Sequence, residues 1–269
     1  MLQTTPRPVV LSIAGFDPSG GAGIIADVTT FASFGCQPTA AVTSLTFQNA
    51  EGVFGAIHES AESLRAQILP IVAEFSLAAV KIGMLPTAEI VHEVARLLRE
   101  FKLPAPVIDP VIESTSGDRL MEENAIGVLL TDLLPLSRVV TPNIPEAERL
   151  SGLKIDDEEG MREAAKRIRQ LGARAVLVKG GHLREQRAEG RRQKTSSSEV
   201  IDVLDDEGVM TVLRAKRIIA AELHGSGCLL SAGIAAGLAK GLTLENSIRE
   251  AKFFVTDALR VVRKQSPQP

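Results

Sequence analysis

Tryptophan and tyrosine are absent from this chain of 269 residues, and nine phenylalanines are its whole aromatic complement. Proteins that hold single-stranded nucleic acid usually stack bases on aromatic side chains along a basic groove. With few aromatics and a net charge of −3, neither requirement is met, and nucleic acid is not an expected partner. Cysteine is scarce as well. Cys36 and Cys228 stand alone, which excludes a disulfide framework and a cysteine-rich zinc site. No apolar run reaches the roughly 18 residues that would mark a membrane span. The N-terminal run Val9–Ala14 is too short for a signal sequence and leads straight into a glycine loop, so it reads as a strand. Cytoplasmic residence is the expectation. Residues 1–269 are expected to form one domain, since α/β units of about 200–250 residues or more are common.

What the chain does have is a regular alternation of strand-like and helix-like periods. Val9–Ala14 is followed by Ile24, Val28 and Phe31 at helical spacing, up to Gly35. Thr39–Leu45 is β-branched and strand-like. Leu64, Ile68, Ile71, Val72 and Phe75 mark an amphipathic helix with Ser60 as its cap. Ala78–Ile82, Val107–Val111, Arg138–Thr141 and Ala175–Lys179 read as further strands. Between them fall a helix capped by Thr87, a short helix near 122–131, and one opened by Asp156 or Asp157 and closed by Gly172. Val200–Leu204 and Val209–Leu213 flank Asp205-Asp206-Glu207-Gly208 as a hairpin, and a last helix covers 243–263. This order implies an α/β fold with a mostly parallel sheet covered on both faces. Residues 184–198, polar and carrying five basic side chains, break the rhythm. They read as an exposed, mobile loop, and a solvated excursion outweighs a lid over phosphates.

Two glycine-rich turns carry the chemistry. Leu223-His224-Gly225-Ser226-Gly227-Cys228 feeds a helix of small residues running to Lys240. Backbone N–H groups at such a helix start are unpaired and converge, and the helix dipole adds positive charge, which makes an anion site. The same position is expected to lower the Cys228 thiol toward the thiolate. Gly15-Phe16-Asp17-Pro18-Ser19-Gly20-Gly21-Ala22-Gly23 follows the first strand. It lacks the Gly-Lys-Ser/Thr of a phosphate loop, and no acidic residue near position 46 supports a dinucleotide site. It is either a tight turn or a backbone cradle for a small polar ligand. Asp27, one turn past Gly23, is expected to face that cleft, or else simply to complement the helix dipole. Asn143 and Glu146 are three apart at a helix start. They form an ordinary capping box, or the carboxylate organises the waters of Mg²⁺. Lys179 at a strand end either meets a phosphate or faces solvent. His182 and His224 are local hydrogen-bonding residues or acid–base groups.

Eight strings in order carry a resemblance. They are Ala14 through Ile24, Phe47-Gln48-Asn49, Lys81-Ile82-Gly83-Met84, Ile108-Asp109-Pro110-Val111, Ser116-Gly117-Asp118, Thr141 through Ala147, Val178 through His182, and His224 through Cys228. Together they resemble the ribokinase-like superfamily, and within it the hydroxymethylpyrimidine and phosphomethylpyrimidine kinases. The resemblance implies a three-layer α/β/α fold, ATP and Mg²⁺ as cofactors, a pyrimidine carrying a hydroxymethyl group as substrate, and a homodimer. It implies that Gly15, Gly21, Asp27, Gln48 and Met84 line the pyrimidine site. Lys179, Asn143 and Asp109 would meet phosphates, and Asp109 with Glu146 would position the metal. Gly225, Ser226 and Gly227 would form the anion hole, with Cys228 as base where most of the superfamily places an aspartate. Phe16, Leu223, Ser226 and Leu229 depart from the usual pattern. Phe16 bears on substrate choice and keeps a pyridoxal kinase open as an alternative, alongside a pyrimidine-binding protein without catalysis.

Overall fold

The computed structural model describes residues 7–49, 52–114, 117–182, 199–216 and 225–265. The loop expected over 184–198 lies outside the described residues, as do Leu223 and His224. The strands are β1 (Val9–Phe16), β2 (Gln37–Gln48), β3 (Val53–His58), β4 (Leu77–Ile82), β5 (Val107–Ile108), β6 (Val139–Val140), β7 (Ala175–Lys179), β8 (Glu199–Asp206) and β9 (Val209–Lys216). The helices are α1 (Gly23–Ser33), α2 (Ala61–Glu74), α3 (Ala88–Glu100), α4 (Glu123–Val128), α5 (Ile144–Ser151), α6 (Glu158–Gln170), α7 (Ser226–Ala239) and α8 (Leu244–Gln265).

One sheet orders its strands β3-β2-β1-β4-β5-β6-β7-β8-β9. From β2 across to β7 every pairing is parallel. The antiparallel strands sit at the two ends, β3 beside β2 and the β8–β9 hairpin beside β7. Strand side chains alternate between faces. Leu11, Ile13, Val80 and Ile82 pack against α2 to α6, while Val10, Ala79, Val107 and Leu177 pack against α1, α7 and α8. The result is three layers with a core on each side of the sheet.

Local chemistry fixes the helix starts. Ser60 accepts from Ser63 N–H at 3.1 Å, Thr87 from Ile90 N–H at 3.3 Å and Asp157 from Gly160 N–H at 2.8 Å. Helix α7 differs from the others: every side chain from Leu230 to Gly237 is buried. A helix apolar all round belongs in the centre of a layer, and α7 lies between the sheet and α8. Strand β3 was not expected from the sequence. Phe54 and Ile57 on it are 71% and 57% exposed, so no buried face marks it as a strand. The strand expected over 107–111 is confined to Val107–Ile108, because the chain leaves the sheet at Asp109.

Candidate active site

Parallel strands that end together leave a crevice beyond their carboxyl ends, the usual ligand position in open α/β sheets. Here a cavity of about 420 Å³ opens there, within the size range of small-molecule sites. Its parts come from far apart in the chain. Gly15 is the last residue but one of β1 and Asp17 follows it, Thr46 and Gln48 close β2, and Met84 follows β4. Asp109 follows β5, and Asn143 and Glu146 start α5. Lys179 ends β7, and Gly225 to Cys228 begin α7.

The two glycine turns meet. Gly225 has φ +78°, and a Cβ on it would lie 1.9 Å from the Gly21 carbonyl oxygen. Any other residue there would push the two turns apart. Among the described residues no side chain caps α7, and its first turn, from Gly225 to Cys228, lines the cavity with its early backbone N–H groups. The Gly15 turn is itself held by Asp17, whose carboxylate accepts from Ser19 N–H, Ser19 Oγ and Ala22 N–H at 2.8, 2.7 and 2.9 Å.

Lys179 Nζ donates to Asp109 Oδ1 at 2.9 Å, and Thr141 Oγ1 donates to the same oxygen at 3.2 Å. Ser231 Oγ, on α7, donates to Asp109 Oδ2 at 3.3 Å. Burial alone would raise Asp109, but the ammonium groups of Lys179 and Lys81 hold it below the usual carboxylate range. Asn143 and Glu146 form a complete capping box: Glu146 Oε2 accepts from Asn143 N–H at 2.8 Å and Asn143 Oδ1 from Glu146 N–H at 2.9 Å. Capping does not remove Glu146 from the site, since it still lines the cavity. Burial pushes its carboxyl up to about 7, against the pull of Lys179 and with a push from Asp109.

Two expectations need correcting. Asp27 does not reach the cavity. It lies on the buried side of α1, fully shielded, with Oδ2 accepting from Lys81 Nζ at 2.8 Å and Ser12 Oγ at 2.6 Å. The one-turn offset from Gly23 was right, but it did not reveal which side of the helix meets the sheet. The Cys228 thiol is not lowered. Burial pushes it up to about 11; Lys81 pulls against this, while Asp109 and Asp27 push with it. Desolvation of the thiolate outweighs the helix terminus. Among the other expected residues, Gly15, Gln48 and Met84 line the cavity; Gly21 backs it through its contact with Gly225. Phe16 does not line it, and its carbonyl accepts instead from Thr46 Oγ1 at 2.9 Å.

One half of the cavity carried no site expectation. Val200, Asp202, Ala215 and Lys216 of the β8–β9 hairpin line it, with Lys252, Val255, Thr256 and Leu259 of α8. Asp202 accepts from Gly180 N–H at 2.9 Å and pairs with Lys252. The cavity therefore runs from an end near Gln48 and Met84 to an end where Val200, Ala215, Val255 and Leu259 are mixed with Asp202, Lys216 and Lys252. The Lys179–Asp109 pair and the start of α7 lie between them. The only signal for the second end was the hairpin, whose alternation gave no chemistry.

The phosphomethylpyrimidine kinase family model matches residues 17–268. The chain belongs to this family. A hydroxymethylpyrimidine/phosphomethylpyrimidine kinase of Streptomyces coelicolor is 40% identical over 252 residues, 94% of this chain and 88% of that protein. A crystal structure of phosphomethylpyrimidine kinase from Clostridium difficile superposes with a TM-score of 0.78 at 34% identity, covering 94% of this chain and 99% of that one. An ADP complex of Bacillus subtilis pyridoxal kinase gives 0.83, also at 34% identity, over 98% and 94% of the two chains. The chain thus has the ribokinase-like fold of both kinase types, and membership of the family makes it a phosphotransferase.

Proposed function

We propose that this kinase transfers the γ-phosphoryl group of ATP to the hydroxymethyl oxygen of hydroxymethylpyrimidine, and then phosphorylates the monophosphate to the diphosphate used in thiamine biosynthesis. One observation carries the reading. The start of α7 and the Lys179–Asp109 pair stand between the Gln48–Met84 end of the cavity and the end walled by the β8–β9 hairpin and α8. A small polar ring suits the Gln48–Met84 end, and a nucleotide base suits the β8–β9 end. The phosphates then fall where the charges are. Phosphoryl transfer needs positioning and charge stabilisation more than covalent chemistry from the protein. Backbone N–H groups of residues 225–228 and the Lys179 ammonium supply both without reorganising.

Mg²⁺ belongs to the same reading. Asp109 and Glu146 are hard oxygen donors on the cavity wall, and among the described residues no group of three or more His, Cys, Asp or Glu side chains forms a cage. That suits an ion held by one or two carboxylates, phosphates and its own waters. When bound, it supplies charge neutralisation for the triphosphate. Cys228 is the proposed base. The substrate O–H bond breaks as the thiolate takes the proton, the oxygen bonds to phosphorus, and ADP leaves with the electron pair of the broken P–O bond. Because this half-buried thiol is pushed up to about 11, its thiolate fraction limits this step at neutral pH.

Cytoplasmic residence and a homodimer are part of the proposal. Two free cysteines support the first. The second is supported by Leu45, Phe47, Phe54 and Ile57, all exposed along the β2–β3 edge. Light scattering at twice the chain mass is expected, and a mass of one chain would remove the dimer. ADP release measured separately with hydroxymethylpyrimidine, its monophosphate and pyridoxal tests the activity. Release with both pyrimidines is expected. Release with pyridoxal alone would move the assignment to a pyridoxal kinase, and binding without release would make the protein a non-catalytic binder.

A further inference from the structure

We propose that Lys81, a residue to which neither the family resemblance nor the sequence gave a role, is a positioning residue that sets the protonation state of the Cys228 thiol. The proposal rests on the reading of Cys228 as the base. Lys81 is on the face of β4 that meets α7, its side chain is fully buried, and it lines the cavity that Cys228 also lines. A lysine shielded to this degree is rare and is retained only when paired. Its partner is Asp27, at 2.8 Å, itself fully buried and steadied by Ser12.

The chain makes room for this ammonium. A Cβ on Gly83 would lie 2.8 Å from Lys81 Nζ and 3.0 Å from the Ala14 Cβ. The string Lys81-Ile82-Gly83-Met84 therefore has an internal logic. Lys81 supplies the charge, Gly83 leaves the space for it, and Met84 goes on to the cavity wall. The pairing is also unequal. Asp27 Oδ2 carries both hydrogen bonds, and Oδ1 has no partner. The carboxylate is spent on holding the lysine and offers nothing further to the cavity.

The groups facing Cys228 come from every element packed around it. Lys81 stands on β4, Lys179 on β7, Asp109 after β5 and Asp27 on α1. Lys81 is the first of the charges acting on the thiol and favours the thiolate, as the Lys179 ammonium also does, while Asp109 and Asp27 oppose it. Lys81 in turn keeps its proton. Burial works against it, but Asp27, Cys228 and Asp109 raise it above the ordinary lysine range. A permanent positive charge thus stands on the wall of the cavity that Cys228 shares, fixed by a partner that does not line it.

The test is alkylation of Cys228 by iodoacetamide in the protein without ligand, followed peptide by peptide across pH. The thiolate is the reacting species, so the pH midpoint reports the thiol and the alkaline plateau reports access. In Lys81→Met the midpoint is expected to rise by about one unit, which makes alkylation about tenfold slower at neutral pH with the plateau unchanged. Lys81→Met leaves Asp27 unpaired, so the double variant Lys81→Met/Asp27→Asn, which leaves no buried charge behind, serves if the single variant does not fold. A higher midpoint is expected there too. An unchanged or lower midpoint, or a change in the plateau alone, would overturn the proposal and leave Lys81 with a structural role. Turnover of Cys228→Ala is measured separately. Full turnover in that variant removes Cys228 as base without touching the Lys81–Cys228 coupling, so the two failures are distinguishable.

Discussion

Lys179 with Asp109 and Lys81 with Asp27 are two versions of one interaction, closed at 2.9 and 2.8 Å on strands of the same sheet. The first pair keeps 15% of its lysine side chain exposed and opens onto the cavity. The second is sealed at 0% on both sides. An open pair can exchange its partner for a phosphate or a metal-bound water. A sealed pair can only hold a fixed charge in place. Depth relative to the strand ends makes the difference: Lys179 is the last residue of β7, while Lys81 is the last but one of β4, with Gly83 and Met84 continuing above it. The same residue types thus offer an exchangeable partner at one depth and a fixed charge at the other.

The largest expected separation between the pairs is in turnover. Asp109→Asn should lower kcat by roughly 10²–10³, the scale seen when one group stabilising transition-state charge is removed. Its loss of stability should be modest, since the cavity admits water to the freed Lys179. Lys81→Met should show the reverse balance. Breaking a sealed pair costs about 3–5 kcal/mol because the remaining charge is stranded. Denaturant unfolding should register that loss, and adding Asp27→Asn should recover most of it. If Asp109→Asn proves the more destabilising of the two, the contrast between open and sealed pairs fails.

A smaller difference is expected in pH dependence. With the Cys228 thiol near 11, turnover should climb with pH above neutrality, and Cys228→Ala should abolish the climb. The stability sign is fixed by the same shift. The native thiol holds its proton more tightly than an unfolded one, near 8.5. That contribution is present below the unfolded value and disappears as pH rises through about 11. The smallest effects concern caps. Asn143→Ala and Thr87→Ala should each cost about 1 kcal/mol. Only Asn143, on the cavity wall, should also raise the KM for nucleotide.

Much of this was legible in the sequence for physical reasons that can be named. Ser60, Thr87 and Asp157 announce helix starts because a side-chain oxygen must satisfy early N–H groups, and the structure makes those bonds. The hairpin at 205–208 was marked by its turn residues and forms between β8 and β9. Strand β3 escaped because its large side chains face outward, although the turn bond from Asn49 N–H to the Gly52 carbonyl lies where a short polar connection invited a hairpin. Asp27 was placed on the right turn of the right helix but on the wrong side, because spacing gives an angle around α1 and not the direction of the sheet. The Cys228 thiol was misjudged for a related reason. A helix start can be read from glycines, but the burial that overrides it depends on strands brought in from elsewhere in the chain.

The most direct test of the central claim follows the phosphorus itself. The purified protein, MgATP and hydroxymethylpyrimidine are incubated, and the pyrimidine is recovered and weighed by mass spectrometry. The account predicts a first phosphoryl group on the hydroxymethyl oxygen and a second on the phosphate of that monophosphate, with one ADP formed for each. Unmodified pyrimidine, or ADP accompanied only by free phosphate, would contradict it.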